Sequence, residues 1–139
     1  LVKQVLETGA QLTVIELRED LAGAREGWRV SLDPADLGAC NKVLSTSTVL
    51  LNDTLEAILS HCRAARRVSL VGPGAGCLPD PLFARGVTLL GGSWIVDAAG
   101  FKDALASGVS WSPFARKVAI AREAYPGAEA LMARARAGR

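Results

Sequence analysis

The stretch that most restricts this chain runs from Val68 to Phe83, VSLVGPGAGCLPDPLF. Val68, Leu70 and Val71 form a short apolar run suited to a buried strand. Gly72-Pro73-Gly74-Ala75-Gly76 breaks that run, and Pro79 and Pro81 prevent an early return to a ladder or a long helix. A strand that ends in a glycine-rich loop carries backbone N–H groups with little side chain over them, and many ligand sites start this way.

The segments on either side alternate between two hydrophobic periods. Leu1 to Thr8 places Leu1, Val2, Val5 and Leu6 on one helical face, with Gly9 as a stop. QLTVIEL, 11–17, reads as a strand, and RVSL, 29–32, as a short extended piece. Asp33 is placed to cap a helical turn begun by Pro34. A strand is expected at Lys42–Thr46, then the polar run Ser45 to Thr48, then a helix from about Asp53 to Cys62 capped by Asn52 or Asp53, with Glu56 three residues after Asp53 as in a capping box. Arg67–Val71 and VTLL, 87–90, are further strands, the latter ended by Gly91-Gly92. WIV, 94–96, precedes a helix over about Ala98 to Ser107. Ser112-Pro113 opens another that runs to about Ala124, and an alanine-rich helix follows. Strands and helices at this spacing predict an α/β fold, a doubly wound parallel sheet with right-handed crossovers.

Composition narrows the setting. With 139 residues, half of them apolar, the chain is large enough for one packed domain and too apolar to be disordered. No apolar run approaches the ~18 residues of a membrane span, and the N-terminus does not resemble a signal peptide, so a cytoplasmic protein without membrane attachment is expected. The formal charge of +2 is uneven, because Arg116, Lys117, Arg122, Arg134, Arg136 and Arg139 all lie in the last 25 residues. Tyr125 is the single aromatic among them, which fits a solvated face better than a nucleic-acid surface. Cys40, Cys62 and Cys77 are odd in number and widely spaced, as expected of reduced thiols.

In a parallel sheet, ligands bind beyond the carboxyl ends of the strands. Those ends carry Glu16, the run Thr46-Ser47-Thr48, the loop Gly72 to Cys77, and Gly91 to Ser93. Thr46, Ser47, Thr48, Asn52 and Ser93 offer polar side chains, while Gly72, Gly74 and Gly76 offer backbone N–H groups for an anion. Cys77 is a candidate metal thiolate, or simply a small apolar filler. Cys40 precedes a strand and so lies at the opposite edge, roughly 17 Å away, too far to share an ion with Cys77. His61, Cys62 and Cys40 can approach one another there, where ordinary core packing is the plainer reading. Glu16 could bind a ribose hydroxyl as an acidic strand-end residue does in dinucleotide folds, or form a surface ion pair. No Ser-His-Asp set can be assembled.

These motifs, taken in order, resemble those of the putative heavy-metal chelation family. Its pattern has a threonine-glycine strand end and an asparagine-glycine-threonine helix opening, similar to Thr46-Ser47-Thr48 and Asn52-Asp53-Thr54. A Gly-Pro loop, a leucine-phenylalanine turn and a Gly-Val strand follow, similar to Gly72-Pro73, Leu82-Phe83 and Gly86-Val87. Val96-Asp97 and Gly108 match its closing strand-helix unit. Ser47 and Asp53 depart from the pattern, standing where it has glycine, and Gly74-Ala75-Gly76 replaces a more polar stretch. The resemblance covers roughly residues 10–110.

The resemblance implies a Rossmann-like, mainly parallel sheet flanked by helices, lacking its first strand. Residues 1–139 then form one domain, with 112–139 a helical C-terminal extension. It also implies a smaller N-terminal α+β domain that this sequence lacks, so the chain is expected to be a fragment or half of a split protein. Three functions are consistent with these expectations. The leading one is a domain that binds a metal complex or small anionic molecule at the carboxyl edge. The second is an enzyme domain holding a nucleotide or adenosyl cofactor with Glu16 on the ribose. The third is a docking domain for the missing N-terminal domain or a second chain, including a second copy in a homodimer.

Overall fold

The computed structural model describes residues 2–138, so Leu1 of the first expected helix and Arg139 at the end of the last lie outside the described residues. Helix α1 (Val2–Leu6) leads into strand β1 (Leu12–Ile15), and β2 (Gly23–Arg25) and β3 (Trp28–Ser31) follow. These strands form a small sheet in the order β1-β3-β2, with β1 parallel to β3 and β2 antiparallel to it. Gly27, at φ +78°, closes the β2–β3 hairpin. Asp33 then caps a 3-10 turn over Pro34–Ala39, accepting from the Ala35 N–H at 2.9 Å, as the Asp-Pro pair predicts.

The main sheet comprises β4 (Lys42–Thr46), β5 (Arg67–Val71), β6 (Leu89–Ile95) and β7 (Ala115–Ala121), in that spatial order. The first three are parallel and β7 is antiparallel to β6. Helix α2 (Leu55–His61) connects β4 to β5, α3 (Asp80–Ala84) connects β5 to β6, and α4 (Ala98–Ala106) connects β6 to β7. The result is the Rossmann-like, mainly parallel α/β sheet flanked by helices that the alternating pattern requires.

The strand order explains how the core is built. Each parallel crossover steps in the same direction, so right-handed connections carry α2 and α3 to the same face. On that face Val43, Val68, Leu70 and Leu90 are all buried, Leu70 completely. Leu82 and Phe83 of α3, with Leu55 and Leu59 of α2, pack around Leu70 and Leu90. Leu37 of the 3-10 turn joins Val43, Cys62 and Val68. Cys62 and Cys40 meet here as packing groups, each sulfur donating to a carbonyl one helical turn back. Burial, with Cys40 close by, pushes the Cys62 thiol upward.

Three sequence expectations need correction. The helix expected from Ser112 to Ala124 is instead a 3-10 turn over Ser112–Phe114, then β7, then a second 3-10 turn over Arg122–Ala124, so the extension 112–139 is helical only in part, with its α-helix at Ala128–Ala137. Pro113 does open a turn, but seven residue pairs with β6 override the helix propensity of ARKVAIA. Gly91-Gly92 do not end β6 either. They lie within it, because β7 continues to pair with the strand as far as Ile95. The capping box at Asp53 is absent. Asp53 sits at φ +58°, α2 begins at Leu55, and Glu56 instead binds Arg85 Nε at 2.6 Å.

Helix α5 (Ala128–Ala137) buries none of its residues and is too short to be stable alone. It is fixed at its start by Asp80. That carboxylate accepts from the Ala128 N–H at 3.0 Å and from the Tyr125 hydroxyl at 2.7 Å, while the Tyr125 ring meets Phe83 edge-on. An acceptor from α3 thus satisfies one of the open N–H groups of α5.

The Ala128 N–H foremost, and the Tyr125 hydroxyl next, hold the Asp80 carboxyl below its ordinary range. Its stabilising contribution is therefore present above the unfolded-chain value of about 3.9 and is lost as pH falls through the lower folded value. Asp80→Asn should lower the melting temperature at pH 7, and the gap to the wild type should narrow in melts below about pH 4. A gap independent of pH would show that this carboxylate does not hold α5.

Candidate functional site

The carboxyl ends of β4, β5 and β6 face one edge, and the segments that follow β4 and β5 meet there. The crossover from β4 begins as a 3-10 turn over Ser47–Leu50, and the one from β5 as a turn over Pro73–Ala75. Ser47 is buried where these turns meet, and its Oγ accepts from the Gly74 N–H at 3.1 Å. Gly72 lies at φ +142°, its N–H donating to the Gly91 carbonyl at 2.8 Å, and Ala75 N–H donates back to its carbonyl. A Cβ built on Gly72 would collide with Ser47 Oγ, and one on Gly74 would lie 3.2 Å from it. These glycines therefore admit the Ser47 hydroxyl between two loops.

The residues picked from sequence fall into different roles. Ser47, Gly72 and Gly74 do come together, but mainly to satisfy one another. The N–H groups of Gly76 and Cys77 have no hydrogen-bond partner among the described residues, and both residues are exposed. Cys77 keeps a reduced, exposed thiol beside them. Thr46 and Thr48 are exposed on the rim, and the Thr46 side chain makes no cap bond. Asn52 is turned to its own segment, its Oδ1 accepting from Thr54 Oγ1 at 2.7 Å.

Strand β6 runs four residues beyond its last pair with β5 and forms a ledge with β7 above the glycine loop. Ser93 lies on that ledge and accepts from Lys117 Nζ at 3.2 Å. Lys117 was missed from sequence because 115–121 read as helix, and the half-buried positions Ala115, Val118 and Ala121 recur every three residues with no strand-like alternation. Glu16 does not belong to this edge by topology. It follows β1, which pairs in the small sheet, and its N–H donates to Ser31. The ribose role expected of it required a strand of the main sheet, so the fold lends that reading no support.

A metal ion needs several convergent donors. Among the described residues no group of three His, Cys, Asp or Glu side chains converges, and Cys77 is the one soft donor on this edge. The side chains of the described residues therefore do not by themselves fit a chelated ion. No helix among those residues is long and apolar enough to cross a membrane.

The contact between Ser47 and Gly72 makes a double-substitution test possible. Gly72→Ala should destabilise the fold by about 1–3 kcal/mol, as overpacking does, and Ser47→Gly made alongside it should return part of that loss. Urea unfolding of the two single variants and the double variant measures the coupling. Strictly additive effects would rule the contact out.

The sequence matches the family described as putative heavy-metal chelation over residues 1–124. No functionally curated protein matches it. Two solved structures of proteins of unknown function from that family share the fold. One, from Pyrococcus horikoshii, has 20% identity and a TM-score of 0.69 over 86% of this chain and 50% of its own. The other, from Desulfitobacterium hafniense DCB-2, has 26% identity and a TM-score of 0.63 over 81% and 52%. The chain thus spans about half the length of these relatives. Its fold, its motifs in order and the match over most of its length place it in the putative heavy-metal chelation family.

Proposed function

We propose that this chain supplies one wall of a binding site for a small anionic molecule or metal complex, at the carboxyl edge of β4, β5 and β6. The observation that carries the reading is the loop Gly76-Cys77. Two N–H groups without a partner among the described residues and an exposed thiol lie together there, below the ledge bearing Lys117. N–H groups and an ammonium attract an anion, and a thiol that loses its proton on metal binding adds one soft ligand. Thr46 and Thr48 are the rim hydroxyls able to join, and Ser93 holds Lys117 in place. With one thiol on this wall, the remaining donors for any metal come from the bound complex or from outside the chain.

An apolar rim supports a second wall. Leu51, Leu78, Trp94 and Val96 all follow or end the strands at this edge, and each leaves more than half of its surface in water, Leu51 as much as 80%. Such a rim around a polar centre fits a surface covered by another domain or chain. The relatives' structures have an unmatched half of their own length available for that role.

Cadmium citrate is a suitable probe, because it is anionic and thiophilic. The thiolate-to-cadmium absorbance should rise to one equivalent, vanish in Cys77→Ser and persist in Cys62→Ser. Lys117→Gln should weaken binding by about tenfold, the effect of losing one charge-assisted contact. An unchanged signal in Cys77→Ser would remove this thiol, and with it the proposed wall.

A further inference from the structure

The opposite edge of the main sheet carries a separate cleft. The loops entering β5 and β6 meet there, and so does the end of β7, because an antiparallel strand finishes where its parallel neighbours begin. They enclose about 290 Å³, with Arg63, Arg66, Arg85 and Arg122 around a floor that includes Leu59 and Val68.

The floor is braced by Thr88. Its hydroxyl donates to the Val68 carbonyl and accepts from the Val68 N–H, both at 3.0 Å. The Arg122 N–H donates to the Thr88 carbonyl at 2.9 Å, and the Arg66 N–H to the Asn41 carbonyl at 2.9 Å. The backbone of these two arginines is therefore held in place on either side of the cavity. Their side chains are exposed.

The charge at this edge is unbalanced. Of the four guanidinium groups, Arg85 alone is paired, with Glu56 at 2.6 Å. The other ion pairs among the described residues, Arg18–Asp20 and Arg29–Asp36, lie elsewhere. Arg63, Arg66 and Arg122 are left without a side-chain partner among the described residues. Like charges around one cavity repel and destabilise the empty site, and an anion relieves that repulsion. Guanidinium groups hold phosphate through paired hydrogen bonds. An apolar floor beneath them can seat a small organic body, and the volume lies at the low end of ligand clefts, about 300–1,000 Å³. No aromatic ring lines the cavity, so it offers nothing for nucleic-acid bases to stack on.

We propose that this arginine cleft binds a small molecule carrying a diphosphate or two phosphate groups. The site uses none of the residues of the carboxyl edge, so either proposal can fail without the other. Pyrophosphate is the minimal probe, titrated by calorimetry into the full chain. One equivalent should bind, and Arg66→Gln and Arg122→Gln should each weaken binding by about tenfold. Arg116→Gln, outside the cleft, should leave the affinity within about twofold, and circular dichroism should show every variant folded. Absence of binding, equal loss in Arg116→Gln, or citrate binding as tightly as pyrophosphate and weakened equally by Arg66→Gln would overturn the proposal. Duplex DNA bound through the same arginines would overturn it too, in favour of a nucleic-acid surface.

Discussion

Everything in the main sheet depends on β5 being paired on both sides. Its neighbours β4 and β6 satisfy its backbone, and Val68 and Leu70 project from it into the centre of both hydrophobic clusters. A strand so enclosed must tolerate neither charge nor proline along its length, and RVSLV meets that condition from its second residue onward. The helices are secondary to it. Helix α2 is seven residues long and α3 is five, lengths that cannot persist without the apolar surface β5 helps to provide.

Once β5 is fixed, its two ends acquire different chemistry. At the carboxyl end the chain turns through glycine and proline, and backbone groups are the main resource. At the amino end the chain arrives through Arg63, Arg66 and Arg67, and side-chain charge dominates. One central strand thus separates a group of N–H groups and a thiol from a cluster of guanidinium groups. Strand β7 reaches both, with Lys117 toward one end and Arg122 just past the other.

The parallel strands were legible because their apolar runs are short, β-branched and bounded by glycine or proline. The Asp33-Pro34 turn was legible because its cap is local, a side chain bonding a backbone two residues on. What could not be read depends on partners distant in sequence. ARKVAIA suits a helix until β6 is placed beside it, and Gly91-Gly92 suits a strand end until β7 is seen to continue the pairing. The same holds for the candidate site. The glycine loop and Cys77 stand out in the sequence, whereas the use of Ser47 to join two loops, and the placing of Glu16 in another sheet, are products of tertiary structure.

The spatial order of the main sheet is also its order along the chain, since each strand lies beside the one that follows it. No pairing waits for a distant segment, and every crossover closes a loop of modest length. The sheet can therefore grow one strand at a time in the direction of synthesis. β6 has a partner on one side before β7 has emerged, and β7 completes the assembly as its antiparallel edge. In kinetic terms, the order of the strands lets the main sheet form by successive local additions, each one building on an edge already in place.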